Sequence, residues 1–292
     1  HCSTLVSLLL ISNGAFFLSI LLLHKIVSQF YTQTTVRSTL AALVLFPSSF
    51  YFFAIFPQSL LLFLILLTYY LIHRGCWIGG AVTGFLAGLT HSTSVALFFL
   101  VGIEAIRYLW PKLISLRQRR LIFEWKILIV LFAPFTSLSG IASFMIWREM
   151  AGFRPYVLLQ SMTYGRALTM PWEGLRLIIQ FIITPSSQVN IIVAWMNTAV
   201  FALMVFLTVW SYRRIPLTWW FMQMGFLAFI TTNLTVGYPL IGFFRYCVVI
   251  FPLFIEISLL GRQPPWRMGK FAIGLLLSFS YSAMFFMWLY DF

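Results

Sequence analysis

The residues best suited to chemistry in this sequence are a few arginines, amides and aromatic residues that lie between apolar runs. The most polar group falls between Trp147 and Gly174, and its members are Arg148, Arg154, Gln160, Tyr164, Arg166, Trp172 and Glu173. An arginine fork grips phosphate with two hydrogen bonds, and aromatic faces suit sugar rings. The group therefore predicts a site for a phosphate or sugar. The alternative is a solvated loop with aromatic anchors at a membrane interface.

Three further polar positions each allow a functional and a structural interpretation. Arg245, followed by Tyr246 at the start of an apolar run, is a candidate clamp for a lipid phosphate or a snorkelling anchor. His91, in a short polar turn, is a candidate acid or base or a polar cap. Gln58 follows Pro57 at another turn, where helix capping is the simpler explanation.

The sequence lacks the motifs of nucleotide-driven and metal-dependent chemistry. It contains no P-loop, GxSxG, HExxH or glycine-rich nucleotide loop, and its six acidic residues form no closely spaced pair. Cys2, Cys76 and Cys247 are far apart and form no CxxC pair. We therefore expect no cofactor, no metal site and no disulfide framework.

The composition predicts a membrane protein. Of the 292 residues, 61% are hydrophobic and only 9% are charged, whereas soluble domains average about 45–50% and about 25%. The predicted fold class is all-α: a polytopic transmembrane helical bundle forming a single domain over residues 1–292, integral to a prokaryotic plasma membrane or to the endoplasmic reticulum. Its ten apolar runs are Leu5–Leu23, Ser38–Phe56, Ser59–Ile72, Trp77–Thr90, Ser94–Leu109, Ile127–Trp147, Val189–Trp210, Leu217–Val236, Phe244–Leu260 and Phe271–Tyr290.

One longer polar segment interrupts these runs. Residues 148–188 are predicted to form an extracytoplasmic loop. Within it the apolar stretch Gly174–Thr184 is too short to cross a core of about 30 Å. We therefore predict an interfacial or re-entrant helix there.

The basic residues orient the chain. Alternating the spans places 14 of the 19 basic residues on one side, which the positive-inside rule makes cytoplasmic. The five on the other side are Arg148, Arg154, Arg166, Arg176 and Arg245. A net charge of +13 does not indicate nucleic-acid binding here, because the cations lie at span ends and form no soluble face.

Several short motifs, taken in order, resemble a known enzyme family. They are Ile11-Ser12-Asn13, Phe46-Pro47-Ser48-Ser49-Phe50, Ile55-Phe56-Pro57-Gln58-Ser59-Leu60, Gly84 to Thr93, Glu104, Tyr164-Gly165-Arg166, Pro171-Trp172-Glu173-Gly174, Phe244-Arg245-Tyr246 and Ile250 to Phe254. The series resembles the mannosyltransferases that add the second mannose of GPI anchors, together with their prokaryotic relatives.

The resemblance implies a GT-C type membrane glycosyltransferase. Such an enzyme moves a sugar from a polyprenyl or dolichyl phosphate carrier to a glycan or glycolipid acceptor on the extracytoplasmic or lumenal face. It would place the phosphate at Arg245 with Arg166, and it would shape the sugar site with Trp172 and Gln160. Tyr246, Tyr164, His91 and Gln58 complete the expected binding residues.

This chain departs from the family pattern at three points. Gln58 stands where the family has an acidic residue, and His91 stands where it has an arginine. The expected catalytic aspartate lies in a loop after the family's first span, and no residue here matches it. We therefore expect an N-terminally truncated chain or an inactive relative, and the catalytic base stays unknown. The competing hypotheses are a transporter or lipid flippase and a non-catalytic membrane scaffold.

Overall fold

The computed structural model describes residues 2–116, 125–184, 191–235, 239–260 and 264–286. These residues are helical almost throughout, which confirms the all-α prediction. The α-helices are α1 (Cys2–Val27), α2 (Gln33–Leu45), α3 (Gln58–His73), α4 (Trp77–Thr90), α5 (Ala96–Leu116), α6 (Trp125–Phe132), α7 (Thr136–Met150), α8 (Tyr156–Tyr164), α9 (Pro171–Ile183), α10 (Ile191–Ser211), α11 (Leu217–Thr232), α12 (Phe243–Tyr246), α13 (Pro252–Leu260) and α14 (Pro264–Phe286).

Two short strands form one antiparallel ladder. Strand β1 (Arg166–Leu168) pairs with β2 (Asn233–Thr235), so that Arg166 lies opposite Thr235. The ladder joins the segment that follows α8 to the C-terminal end of α11. It therefore fixes the polar segment between α7 and α10 against the helical bundle.

Several helices have the length and apolar composition needed to cross a membrane. Four qualify in the described part of the chain: Thr4–Val27, Ser92–Lys112, Trp125–Met150 and Ala194–Ser211. A bent pair, Phe243–Val249 with Pro252–Leu260, would add a fifth. Three shorter apolar helices accompany them: Gln58–His73, Trp77–Thr90 and Ala272–Ala283. The helices are compatible with a membrane protein, and fewer reach full spanning length than the ten predicted runs.

The predicted span Ser38–Phe56 is wrong as a continuous helix. Helix α2 ends at Leu45, and after Pro47 the chain forms a 3-10 helix over Ser49–Phe52. Proline disfavours the α conformation of the preceding residue, and Phe46 is accordingly extended (φ −65°, ψ 138°). The Ser49 hydroxyl donates a hydrogen bond to the Leu43 carbonyl, which satisfies an acceptor at the end of the helix.

The predicted span Phe244–Leu260 is also wrong as a straight helix. Helix α12 passes into a 3-10 turn at Cys247–Val249, and α13 then begins at Pro252 with a change of direction of 90°. Pro252 has no backbone N–H to continue the earlier helix, whereas it is well suited to a first helical turn. The break places α12 and its arginine on a short, separately oriented segment.

The core of the bundle is built from close helix pairs. Helix α3 packs against α1 and α4, α4 packs against α7, and α5 packs against α11. The α4–α7 contact depends on two glycines: a Cβ on Gly88 would lie 2.1 Å from the Ser137 carbonyl oxygen, and one on Gly140 would lie 2.2 Å from that of Phe85. The two backbones therefore approach more closely than any larger residue permits.

Helix α9 covers most of the apolar stretch Gly174–Thr184, and it is as short as the sequence predicted. Its 13 residues span roughly 20 Å, which is less than a bilayer core of about 30 Å. Gly174 and Ile178, one helical turn apart, are buried against α11, and a Cβ on Gly174 would collide with the Thr231 carbonyl oxygen at 1.8 Å. Its interfacial position stays a prediction.

Candidate functional site

The centre of the candidate site is Arg245, which lies in the short helix α12. This helix begins after Gly242, whose φ of +73° is in the left-handed region. A Cβ at Gly242 would also lie only 3.1 Å from the Tyr246 ring. Glycine meets both requirements without strain, so it sets the direction in which Arg245 leaves the backbone.

Two buried side chains fix the backbone immediately before Arg245. The Phe244 amide donates to Asn197 Oδ1 on α10 at 2.8 Å. The Ser48 hydroxyl, which follows the break after α2, donates to the Phe244 carbonyl at 2.7 Å. The backbone N–H and the carbonyl of Phe244 are thus both satisfied by distant parts of the chain. Irregular backbone inside an apolar bundle requires such partners.

The Arg245 guanidinium lies among aromatic rings. Its Cζ atom is 4.9 Å from the ring centroid of Tyr246, 5.8 Å from that of Phe56 and 5.9 Å from that of Tyr51. Arg245 Nη2 also donates to the Tyr246 hydroxyl at 2.8 Å. Cation–π attraction and this hydrogen bond hold the charge in place. The result is a half-buried, permanently charged cation suited to an anion.

His91 joins this cluster through Tyr246. The two ring centroids are 5.4 Å apart. The Thr93 amide donates to His91 Nδ1 at 3.2 Å, and the Thr93 hydroxyl lies 3.0 Å from the same nitrogen. The structure therefore shows His91 as a cap of the 3-10 helix Ser92–Val95, and the same contacts orient its ring beside Tyr246.

A narrow cleft connects His91 to the strand ladder, and its empty space of about 370 Å³ includes open surroundings. Its lining includes His91, Tyr246, Asn233 and Thr235. Because Thr235 pairs with Arg166 in the ladder, the backbone of Arg166 lies at the edge of this cleft. The side chains of Arg166, Gln160 and Tyr164 lie outside the described part of the structure.

A second cleft lies on the other side of His91. It has about 590 Å³ of empty space, part of which is open to the surroundings, and is lined by His91, Phe144 and Tyr156 among others. Tyr156 is the first residue of α8, the helix that carries Gln160 and Tyr164. The backbone thus brings the start of the predicted polar segment to the His91 turn.

Gln58 is buried rather than placed as a helix cap. It is the first residue of α3, and the helix start has no side-chain capping hydrogen bond. Its side chain is 2% exposed, and its Oε1 atom has no hydrogen-bond partner among the described residues. The capping explanation is therefore wrong. A buried oxygen without a donor, two residues after Phe56, is a candidate ligand contact.

A wide apolar groove is lined in part by Phe244, the residue before Arg245. Phe46 and Pro47, from the break after α2, also line it. The other lining residues lie on α2, α10, α13 and α14, and include Leu203 and Ile273. It has about 1510 Å³ of empty space, part of which is open to the surroundings, and its lining is almost entirely apolar. The Arg245 guanidinium is not part of this lining, and the link between the cation and the groove is the adjoining residue Phe244. A cation near an apolar groove suits the chemistry of a lipid phosphate.

Trp172 has a different environment from the Arg245 cluster. It lies in the first turn of α9 and is 69% exposed. Glu173 beside it accepts two hydrogen bonds from Arg176 Nε at 3.0 Å and one from Nη2 at 2.5 Å. These hydrogen bonds lower the pKa of Glu173. The pair explains Arg176 as a partner of Glu173 on an exposed helix surface.

Four contributors to the site were not among the predicted site residues: Tyr51, Phe56, Ser48 and Asn197. Ser48 and Phe56 lie within the motifs that carry the family resemblance, but no role was predicted for them. In the sequence the two aromatic residues could not be told apart from ordinary anchors at a membrane interface. The two polar residues lay inside predicted spans. The nearest signal was the pair of prolines, Pro47 and Pro57, that flank the aromatic segment.

Metal chemistry has no candidate centre in the described ranges, since no group of three or more His, Cys, Asp or Glu residues lies close enough to hold an ion. Comparison with known proteins finds no matching family model, no matching curated protein and no matching solved structure. The chemistry of the site is therefore argued from its geometry.

Proposed function

We propose that this chain is a multi-pass membrane glycosyltransferase, or the membrane core of one, that takes a sugar from a polyprenyl or dolichyl phosphate carrier. The observation that carries the proposal is Arg245: a half-buried cation held by aromatic rings, whose neighbour in the chain, Phe244, lines an apolar groove. In the proposed topology the three shorter apolar helices cross the membrane, and so do α2 and α11, which gives about ten crossings and a GT-C-like bundle. The resemblance to the second-mannose transferases of GPI anchors favours mannose and a glycolipid acceptor.

The donor's phosphate and lipid would occupy adjoining surfaces. Arg245 supplies a delocalised charge and the fork geometry that suits phosphate. The groove that begins at Phe244 supplies apolar surface for an isoprenoid chain. Neither feature alone identifies the donor, because a snorkelling arginine and a lipid-facing groove are each common. Their closeness in the chain, on backbone that is held by Ser48 and Asn197, favours a carrier with a charged head and a long apolar tail.

The sugar would lie in the cleft beside Tyr246, which would have to widen to hold it. Tyr246 and His91 present rings there, and Thr235 and Asn233 present polar groups. The Gln58 carbonyl oxygen offers a buried acceptor near the same aromatic segment. Arg166 and Trp172 would approach from the ladder and from α9, and Gln160 and Tyr164 from α8.

In the proposed reaction the bond between the anomeric carbon and the phosphate oxygen breaks, and its electron pair stays on the phosphate. The acceptor hydroxyl oxygen bonds to the anomeric carbon and loses its proton to a base. Arg245 stabilises the charge that develops on the departing phosphate, and the cleft orients the sugar. We assign no residue of this chain as the base.

Donor binding tests the proposal without depending on that base. Purified protein in detergent is titrated with polyprenyl-phosphate mannose, and its thermal stability is followed. We expect the wild type and Arg176→Ala to be stabilised by the donor, and Arg245→Ala to lose that response. Arg176 is the matched control, since it is an exposed arginine paired with Glu173. A full donor response in Arg245→Ala would refute the proposed phosphate site.

A lipid flippase or other transporter is the second candidate, because the α12–α13 pair is a broken helix and a buried carboxyl, Glu256, lies within α13. Broken helices and intramembrane acids are common in transporters. Reconstituted liposomes separate the two functions. Movement of a fluorescent polyprenyl phosphate between leaflets with no sugar transfer would favour the transporter, and sugar transfer to an acceptor would favour the enzyme. A non-catalytic scaffold would show neither activity.

A further inference from the structure

A polar cluster lies buried between α10, α11 and α13, away from the Arg245 site. Its members are Glu256 on α13, Gln223 on α11, and Thr208 and Ser211 on α10, all with at most 1% of their surface exposed. Gln223 Nε2 donates to Glu256 Oε2 at 2.9 Å and to Thr208 Oγ1 at 2.7 Å. Gln223 therefore links the carboxyl of one helix to a hydroxyl of another.

Two oxygens of this cluster lack a hydrogen-bond partner among the residues that the structure describes. They are Glu256 Oε1 and Gln223 Oε1, and both are inaccessible to solvent. Each is an acceptor when Glu256 is ionised, so neither can satisfy the other in that state. Two buried, unsatisfied acceptors on side chains that hydrogen-bond to each other are costly.

No cation compensates the carboxyl within the described residues. The ion pairs found there join Glu104 to Arg107 and Glu173 to Arg176. Helices α10 and α11 contain no charged or titratable side chain, and α2, which also packs on α13, contains only Arg37, which is exposed. An ionised Glu256 would be a buried charge without a counter-charge, and such a charge is strongly disfavoured.

We propose that Glu256 and Gln223 form an intramembrane proton-binding site, in which the Glu256 carboxyl carries one proton and donates it as a hydrogen bond to Gln223 Oε1. One proton then removes the buried charge and satisfies both orphan oxygens. The neutral acid–amide pair ties α13 to α11 and, through Thr208, to α10. Because α13 follows the break after α12, the pair is also a positioning element for the segment that carries Arg245.

The proposal predicts the sign of a pH effect. The folded protein holds the proton more tightly than the unfolded chain, so stability is greatest at low pH and declines as the pH rises. The substitution Glu256→Gln mimics the protonated acid, since its amide group is neutral and can donate. The variant should therefore be as stable as the wild type at acidic pH and should not share the decline.

The experiment measures the apparent Tm of the purified protein in detergent from mildly acidic to mildly alkaline pH. The expected result is a fall of about 5 °C or more in the wild type, a much smaller fall in Glu256→Gln, and the full fall in the control Glu173→Gln, which changes an acid on the surface of α9. Infrared spectra should contain a carboxylic acid C=O band that shifts in D₂O. This band should be absent from Glu256→Gln and present in Glu173→Gln.

Three results would overturn the proposal. The first is an infrared difference spectrum, wild type minus Glu256→Gln, that contains no carboxylic acid band. The second is a loss of stability in Glu256→Gln at every pH, which would mean that the charge itself is required. The third is stabilisation of the wild type by Na⁺ at constant pH and ionic strength, lost in Glu256→Gln, which would mean that a metal cation occupies the place of the proton.

Discussion

The contact between α4 and α7 makes an unusually direct prediction, because a Cβ added at Gly88 would meet backbone and not a movable side chain. The nearest atoms are the Ser137 carbonyl oxygen at 2.1 Å, the Gly140 Cα at 2.9 Å and the Ile141 nitrogen at 3.0 Å. An ordinary contact is more than 1 Å longer than the first of these. The substitution Gly88→Ala must therefore separate the two helices.

The expected cost follows from that geometry. Overpacking a tight core costs typically about 1–3 kcal/mol, and we expect the upper end of this range because no rotamer change can relieve the clash. The matched control is Gly102→Ala in α5, where a Cβ would meet nothing within 4 Å. Replacing a helical glycine by alanine there should stabilise the protein by about 0.5–1 kcal/mol.

Tryptophan fluorescence during heating in detergent gives the readout. We expect the apparent Tm to fall by several degrees in Gly88→Ala and to stay level or rise in Gly102→Ala. Equal effects of the two substitutions would show that α4 and α7 do not meet at these glycines, and the arrangement of the bundle around α3 and α4 would have to be revised.

Two further outcomes test the surroundings of the site. Asn197→Leu removes the acceptor of the buried Phe244 amide. It should destabilise the protein by about 1–3 kcal/mol, measured as a lower apparent Tm, and it should weaken donor binding because α12 loses an anchor; an unchanged Tm would contradict that hydrogen bond. Arg176→Ala removes the exposed ion pair on α9. It should raise the pKa of Glu173 towards its ordinary value, since that pKa is lowered by Arg176. It should also change the Tm by less than about 1 °C, because exposed pairs contribute little. A larger loss of stability would show that the pair holds α9 in place.

The sequence predicted those elements that depend on local properties of the chain. The apolar run Trp77–Thr90 coincides with α4, and Ser59–Ile72 lies within α3. Two other runs were predicted as continuous spans and are broken, at Pro47 and at Pro252. Hydropathy averages over such a break, and the contact that makes it tolerable is distant: Ser48 hydrogen-bonds to Phe244, almost 200 residues away.

The same distinction applies to the candidate site. Arg245 stood out because a cation is costly in an apolar run, and the structure brings it together with Tyr246 and His91. The rings of Tyr51 and Phe56 could not be assigned to it from sequence, since their partner lies on a distant helix. Glu256 lies within the predicted run Phe244–Leu260, but the run did not show that its side chain is fully buried. A hydropathy profile gives depth along a helix but not the direction that a side chain faces.

Photolabelling with a photoreactive polyprenyl phosphate tests the central claim most directly, because it locates the bound lipid phosphate on the chain. The protein in detergent is irradiated with the probe and digested, and the labelled peptides are identified by mass spectrometry. We predict labelling in residues 46–58 and in α12, competition by unlabelled polyprenyl-phosphate mannose, and loss of labelling in Arg245→Ala but not in Arg176→Ala. Labelling confined to α9, or labelling that persists in Arg245→Ala, would contradict a phosphate site at Arg245.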